Sequence, residues 1–270
     1  MRRNADRKIA LKELKPVLPG LFTFGNLLCG LLALLHSMGD NPANAAWFIL
    51  IGAFLDSLDG KVARITNSSS EFGLQLDSLA DFLTFGIAPV AMMHGVGIFD
   101  MRDWRFAIAL LYLFAGAFRL ARFNVNASLD GADYFTGLPI PMAAVTISSG
   151  ILFIDKVWPP VIGTGSLGGV ALMAWLMVSN VRYTKRLPRL NLSKKCTIFL
   201  IIPTMILILA LILAPRYIIY PLSLFYIAHG LVCELLNTVA RHKENRYDTF
   251  QGEGLGSKEE NGGRPRGKDD

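Results

Sequence analysis

The stretch Asp56-Ser57-Leu58-Asp59-Gly60-Lys61-Val62-Ala63-Arg64, followed after a short polar turn by Gly73-Leu74-Gln75-Leu76-Asp77-Ser78-Leu79-Ala80-Asp81, sets four aspartates inside two apolar runs. Each run, 45–64 and 72–94, is long enough to cross a bilayer, which takes about 20 mostly apolar residues. An ionised carboxylate in such a segment costs about 2.5–3.5 kcal/mol on the insertion scale. Asp56 and Asp59 are three apart and Asp77 and Asp81 four apart, so each pair shares one helix face. The connection at 67–70 is short and predicts an antiparallel helix pair, with all four carboxylates converging near one end.

Six further apolar runs surround this pair, at 17–36, 104–123, 141–155, 166–181, 196–214 and 217–239. Together they predict an all-α, polytopic membrane helix bundle of eight spans, residues 17–240, with nearly all its backbone hydrogen bonds satisfied within helices. Composition agrees: the 270 residues are 52% hydrophobic and 18% charged, with a mean hydropathy of +0.41, against about 25% charged in soluble domains. The formal charge is nevertheless +6. Nucleic-acid binding would explain that charge but not the apolar excess, and no nucleic-acid partner is expected.

With the N-terminus in the cytoplasm, all but four of the 27 basic residues fall on the cytoplasmic side, the exceptions being Arg102, Arg105, Lys156 and Arg216. The positive-inside rule then places both termini in the cytoplasm and requires an even span count. The apolar stretch after Arg2 and Arg3 starts too late and runs too long for a cleaved signal peptide. Residues 1–16 read as a basic arm. The glycine-rich tail 241–270 has as many acids as bases and reads as disordered, so the +6 resides in the N-terminal arm and in the membrane part with its loops. Cys29, Cys196 and Cys233 lie in different spans without metal-ligand spacing and read as packing residues. His229, in the last span, reads as a partner in an interhelical hydrogen bond.

Four like charges in one place repel unless something positive sits among them. Carboxylate oxygens in this number suit the hard cations Mg²⁺ or Mn²⁺, and a two-metal cluster suits phosphoryl displacement. Gly60, Ala63 and Gly73 leave room for a ligand against the backbone, and Lys61 and Arg64 are placed to hold a phosphate. A divalent-cation transporter is the rival reading. Such proteins spread acids along a pathway, or break helices near the midplane, whereas these acids cluster at one end of two neighbouring helices.

The spacing Asp56-x2-Asp59-Gly60-x2-Ala63-Arg64-x8-Gly73-x3-Asp77-x3-Asp81 resembles the signature of the CDP-alcohol phosphatidyltransferase family at all its fixed positions. The stretches 23–30, 81–89, 118–124 and 135–141 are similar to serine-accepting bacterial members, so the likeness is strong over about 20–145. The resemblance implies a six-helix core plus two C-terminal helices, a homodimer, and a site open to the cytoplasmic leaflet of the cell (inner) membrane. It implies transfer of the phosphatidyl group of CDP-diacylglycerol to L-serine, giving phosphatidylserine and CMP, with glycerol 3-phosphate, inositol or choline as other acceptors within the family. By the same resemblance Asp56, Asp59, Asp77 and Asp81 would hold two Mg²⁺ or Mn²⁺ ions, and Asp81 would also act as general base. Asn26, Asp56, Gly60, Ala63, Arg64 and Gly73 would bind CDP-diacylglycerol. Lys61, Arg119, Arg122 and Asn124 are candidates for the acceptor or a phosphate. For Arg119 and Arg122 the plainer reading is snorkelling to lipid headgroups, for Asn26 and Asn124 it is tying helices together, and for the stretch 137–141 it is starting a helix.

Overall fold

A computed structural model describes residues 17–39, 41–66, 70–127, 134–157, 164–179, 181–184, 209–211 and 213–236. The basic arm, most of the 196–214 run and the tail, including Cys196, lie outside the described residues. The helices are α1 (Val17–Met38), α2 (Pro42–Thr66), α3 (Glu71–Gly95), α4 (Arg105–Ala127), α5 (Ile140–Val157), α6 (Thr164–Val178) and α7 (Pro215–Leu236). By length and composition α1, α3, α4 and α7 each contain a segment able to cross a membrane, while α5 and α6 are shorter apolar helices. In α2 the two aspartates, Lys61 and Arg64 dilute an otherwise apolar run. The chain is a multi-pass membrane protein built as a helical bundle.

The distribution of side chains is that of a helix bundle in lipid. Along α1 the outward residues Leu21, Phe24, Leu28, Leu31 and Leu35 are large and apolar, and Leu21 is 70% exposed. The inward stripe at the same spacing holds Thr23, Asn26, Ala33 and Ser37, all buried. On α4, Leu111, Phe114 and Phe118 face outward while Tyr112, Ala115 and Arg119 are buried. In water this polarity would be reversed; in a membrane, polar and small residues belong at helix–helix contacts.

Two close approaches set the geometry of α1, α2 and α3. Ser70 caps α3, its hydroxyl accepting from the Gly73 N–H at 3.0 Å, which starts the helix immediately after the turn. Midway, α3 widens to a π-helix over Phe82–Ile87. The π segment carries Thr84 between two glycines. A Cβ at Gly30 would collide with the Thr84 hydroxyl and lie 3.0 Å from its Cα, and one at Gly52 would lie 2.7 Å from its Cγ2. The Thr84 hydroxyl donates to the Asn26 carbonyl at 2.9 Å. Pro89 lacks the N–H that would serve the Phe85 carbonyl in a regular helix, and the buried Tyr112 hydroxyl donates to that carbonyl at 2.7 Å.

Beyond the helices, Tyr134–Thr136 (β1) and Arg182–Thr184 (β2) form a short antiparallel ribbon with Phe135 opposite Tyr183. The apolar pattern did not predict it, and α6 stops at Val178, three residues short of the run that ended at 181. The turn into α5 depends on Gly137 (φ +80°), whose N–H donates to the Val181 carbonyl at 2.8 Å. Between α3 and α4, Arg105 pairs with Asp103 and holds that carboxyl below the usual carboxylate range. The chain divides into two compact units, Met1–Ile227 and Ala228–Asp270. In the second, Cys233 Sγ lies 3.7 Å from His229 Nε2 on the same helix.

The contrast between Gly30 and Gly60 tests this packing, since a Cβ at Gly60 would meet nothing within 4 Å. Gly30→Ala is expected to destabilise the protein by about 1–3 kcal/mol, lowering the midpoint of tryptophan-monitored thermal unfolding in detergent. Gly60→Ala is expected to leave that midpoint unchanged. Equal midpoints for the two variants would contradict the tight passage at Thr84.

Candidate active site

α1 runs beside α2 and α3 and aims two side chains, three residues apart, at the acids. The Thr23 hydroxyl donates to Asp59 Oδ2 at 2.9 Å, and Asn26 Nδ2 donates to Asp81 Oδ1 at 3.0 Å. Thr23 had not been singled out from the sequence, although it stands one helical step from Asn26 in the stretch 23–30. Asn26 is fully buried, so its side chain is placed to orient a carboxylate. Its Oδ1 has no hydrogen-bond partner among the described residues, and a Cβ at Gly52 would lie 3.0 Å from it.

The structure brings the four aspartates together. Asp56, Asp59 and Asp77 each offer a carboxylate oxygen, all within 4.8 Å of one another. Asp81 is within electrostatic reach of Asp56, and Asp77 of Asp59. Carboxyl groups this close require a proton or a cation between them. Asp59 and Asp81 are buried, Asp56 and Asp77 half-buried, and Asp77 Oδ1 is buried without a hydrogen-bond partner among the described residues. An all-oxygen donor set with a buried, unpartnered oxygen fits a hard divalent cation. Asp81, anchored by Asn26, adjoins the three-oxygen group through Asp56.

The glycines and cations fall into distinct places. Gly60 borders open space and Lys61 is exposed; Gly73 sits under the Ser70 cap. The side chains of Ala63 and Arg64 lie outside the described residues. Arg119 is buried, its Nε has no hydrogen-bond partner among the described residues, and it is within electrostatic reach of Asp81 and Asp56. Arg122, one turn on, goes elsewhere. Its guanidinium donates to the Val178, Met177 and Ser179 carbonyls at 3.3–3.4 Å, capping the end of α6, and lies over the Phe118 ring at 5.9 Å. A Cβ at Gly137 would lie 2.8 Å from its Nη2. Asn124 donates to Ser78 Oγ at 2.9 Å and fastens α4 to α3. Spacing alone could not separate Arg119 from Arg122, because the partner of Arg122 is a helix end more than 50 residues away in sequence.

The carboxylate cluster is shared by two consecutive helices and braced from a third. The profile of the CDP-alcohol phosphatidyltransferase family matches residues 16–184, and the chain belongs to that family. Among curated proteins it is similar to the CDP-diacylglycerol–serine O-phosphatidyltransferase of Helicobacter pylori strain J99, 36% identical over 168 residues, covering 61% of this chain and 70% of the relative. The enzyme of that name from Bacillus subtilis is 34% identical over 166 residues, covering 62% of this chain and 89% of the relative. The archaetidylserine synthase of Methanothermobacter thermautotrophicus is 43% identical over 135 residues, 49% of this chain and 56% of the relative.

If Thr23 orients Asp59 as a cation ligand, its loss weakens the site without touching the ion. The Mn²⁺ concentration giving half-maximal protection against thermal unfolding is expected to rise about tenfold in Thr23→Val, within the range seen when outer-shell partners are removed. Protection at the wild-type concentration would contradict that placement.

Proposed function

We propose that this protein transfers the phosphatidyl group of CDP-diacylglycerol to L-serine, giving phosphatidylserine and CMP. The observation that carries the reading is the convergence of the Asp56, Asp59 and Asp77 oxygens within 4.8 Å, in a chain of this family whose relatives from Helicobacter and Bacillus bear that activity in their names. The geometry supports the following roles. Asp56, Asp59 and Asp77, with Asp81 adjoining, would hold two Mg²⁺ or Mn²⁺ ions. Bound there, such ions neutralise the donor pyrophosphate and stabilise the departing CMP oxygen.

The chain's own groups do the rest. Asp81, held by Asn26, accepts the proton of the serine hydroxyl as its oxygen bonds to the lipid-side phosphorus and the bond to CMP breaks. The open space at Gly60 lets the cytidine nucleotide approach the backbone of α2, with Ala63 and Gly73 flanking it and Lys61 and Arg64 serving its phosphates. Arg119 is the cation for the serine carboxylate, because among the described residues its Nε is buried without a hydrogen-bond partner and within electrostatic reach of the acids. The helix-capping of Arg122 and the tie from Asn124 to Ser78 support the pocket wall.

In this reading both termini are cytoplasmic, with the basic arm 1–16 and the tail 241–270 flanking an eight-span domain. The acids then meet the cytoplasmic leaflet of the cell (inner) membrane, so acyl chains stay in lipid while serine and CMP exchange with the cytosol. The working unit is a homodimer, as the family resemblance implies.

Purified protein given CDP-diacylglycerol, Mg²⁺ or Mn²⁺ and a panel of alcohols is expected to release CMP with L-serine, and to stop on addition of EDTA. CMP release with glycerol 3-phosphate, inositol or choline instead would move the acceptor. Metal flux into liposomes without CMP release from any alcohol would overturn the reading in favour of transport. Asp81→Asn is expected to lower turnover by at least about 100-fold, the scale of general-base catalysis, while CDP-diacylglycerol still binds. An active Asp81→Asn enzyme would remove Asp81 from the base role.

A further inference from the structure

α4 holds α3 on both sides of Asp81. Three residues before it, Ser78 Oγ accepts from Asn124 Nδ2 at 2.9 Å. Four residues after it, the Phe85 carbonyl accepts from the Tyr112 hydroxyl at 2.7 Å. Between these ties α3 changes from α to π. The segment Phe82–Ile87 begins directly after Asp81, and at its end the Ala88 N–H donates to the Leu83 carbonyl, five residues back. α4 approaches this turn closely, since a Cβ at Gly86 would lie 3.5 Å from Leu113 Cδ1 and 3.0 Å from Phe82 Cδ2. Phe85 and Tyr112 are fully buried.

Pro89 and Tyr112 act on one carbonyl. In a regular α-helix the Phe85 carbonyl would accept from the N–H of residue 89, which proline lacks, and the proline ring would press on that same carbonyl. No water serves a carbonyl inside a bilayer. Pro89 thus removes the bond that an α turn would gain here, and Tyr112 supplies one compatible with the wider turn. A π turn bonds over five residues rather than four and so takes in one more. Closing it to α would turn Asp77 and Asp81 by about 100° against the second half of α3. Thr84, inside the turn, bonds the carbonyl of Asn26, whose amide holds Asp81 Oδ1 at 3.0 Å. The width of the turn therefore also sets Asp81 against its brace on α1.

We propose that Tyr112 is a positioning residue for the transfer reaction. Its bond to the Phe85 carbonyl keeps the π turn of α3 open, and the open turn sets the direction in which Asp81 meets the acceptor hydroxyl. The proposal rests on the reading of Asp81 as the general base.

Tyr112→Phe keeps the buried ring and removes the donor. Initial rates of CMP release are measured for the full chain in detergent micelles containing CDP-diacylglycerol and L-serine, well below the thermal unfolding midpoint. The kcat is expected to fall about 10- to 100-fold, the scale of a small misplacement of a reacting group. The KM for CDP-diacylglycerol is expected to stay within about twofold of wild type. In an Asp81→Asn background the same substitution is expected to leave the residual turnover unchanged, because Tyr112 acts through Asp81. Combining Tyr112→Phe with Pro89→Ala gives the Phe85 carbonyl an N–H in α geometry. That double variant is expected to fold at least as stably as Tyr112→Phe and to keep the low kcat. Wild-type kcat in Tyr112→Phe, an equal fall in the Asp81→Asn background, or recovery of kcat in the double variant overturns the proposal. So does failure of both variants to fold, which would make the bond a requirement of folding alone. CMP release with another alcohol in place of serine would move the acceptor, and the same comparison is then made with that alcohol. No CMP release from any alcohol, or full activity of Asp81→Asn, would fail the base reading first and the proposal with it. Normal turnover with an indifferent Tyr112→Phe sinks the tyrosine alone.

Discussion

Four carboxyl groups brought to one end of two membrane helices must be supplied with hydrogen-bond donors and positive charge, and the arrangement of the first three helices follows from that demand. α1 gives Thr23 to Asp59 and Asn26 to Asp81 from one face. For those donors to reach, α1 must lie close to both partners, and Gly30 and Gly52 make the approach possible by admitting Thr84 between them. The π segment of α3, immediately after Asp81, is what carries Thr84 into that gap and lets its hydroxyl meet the Asn26 carbonyl. A π segment at a functional site is a recurrent device. Here it sets the register between the helix that bears two acids and the helix that braces them.

The same demand explains the inverted polarity of the bundle. Lipid cannot satisfy polar groups, so α1 and α4 turn their threonine, asparagine, tyrosine and arginine inward and their leucines and phenylalanines outward. Arg119 and Arg122 show how finely this works. One turn apart on α4, the first is buried near the acids and the second caps the carbonyls that end α6, securing the turn at Gly137. The charge of Arg122 is thereby used to complete a helix end, as cations near C-terminal carbonyls commonly are.

Much of this was legible in the residues, and the limits have physical causes. The helix pair and the convergence of its acids followed from spacings of three and four and a short turn, because these are local geometry. The runs at 17–36 and 104–123 were visible as continuous apolar stretches and correspond closely to α1 and α4. The π segment was not visible, since its 16-atom rings arise from how α3 meets Gly30 and Gly52, two residues on other helices. The β1–β2 ribbon joins segments nearly 50 residues apart, and three-residue strands leave no periodicity to read. The roles of Thr23 and Arg122 depend on long-range neighbours in the same way.

The account turns on the three-oxygen group formed by Asp56, Asp59 and Asp77. Fold, brace and chemistry all bear on whether that group holds a divalent cation. Anomalous diffraction from crystals of the protein grown with Mn²⁺ tests this directly. A manganese peak is expected within coordination distance of all three carboxylates, and its loss in Asp77→Asn. Manganese bound elsewhere, or carboxylates at these positions with no peak between them, would contradict it.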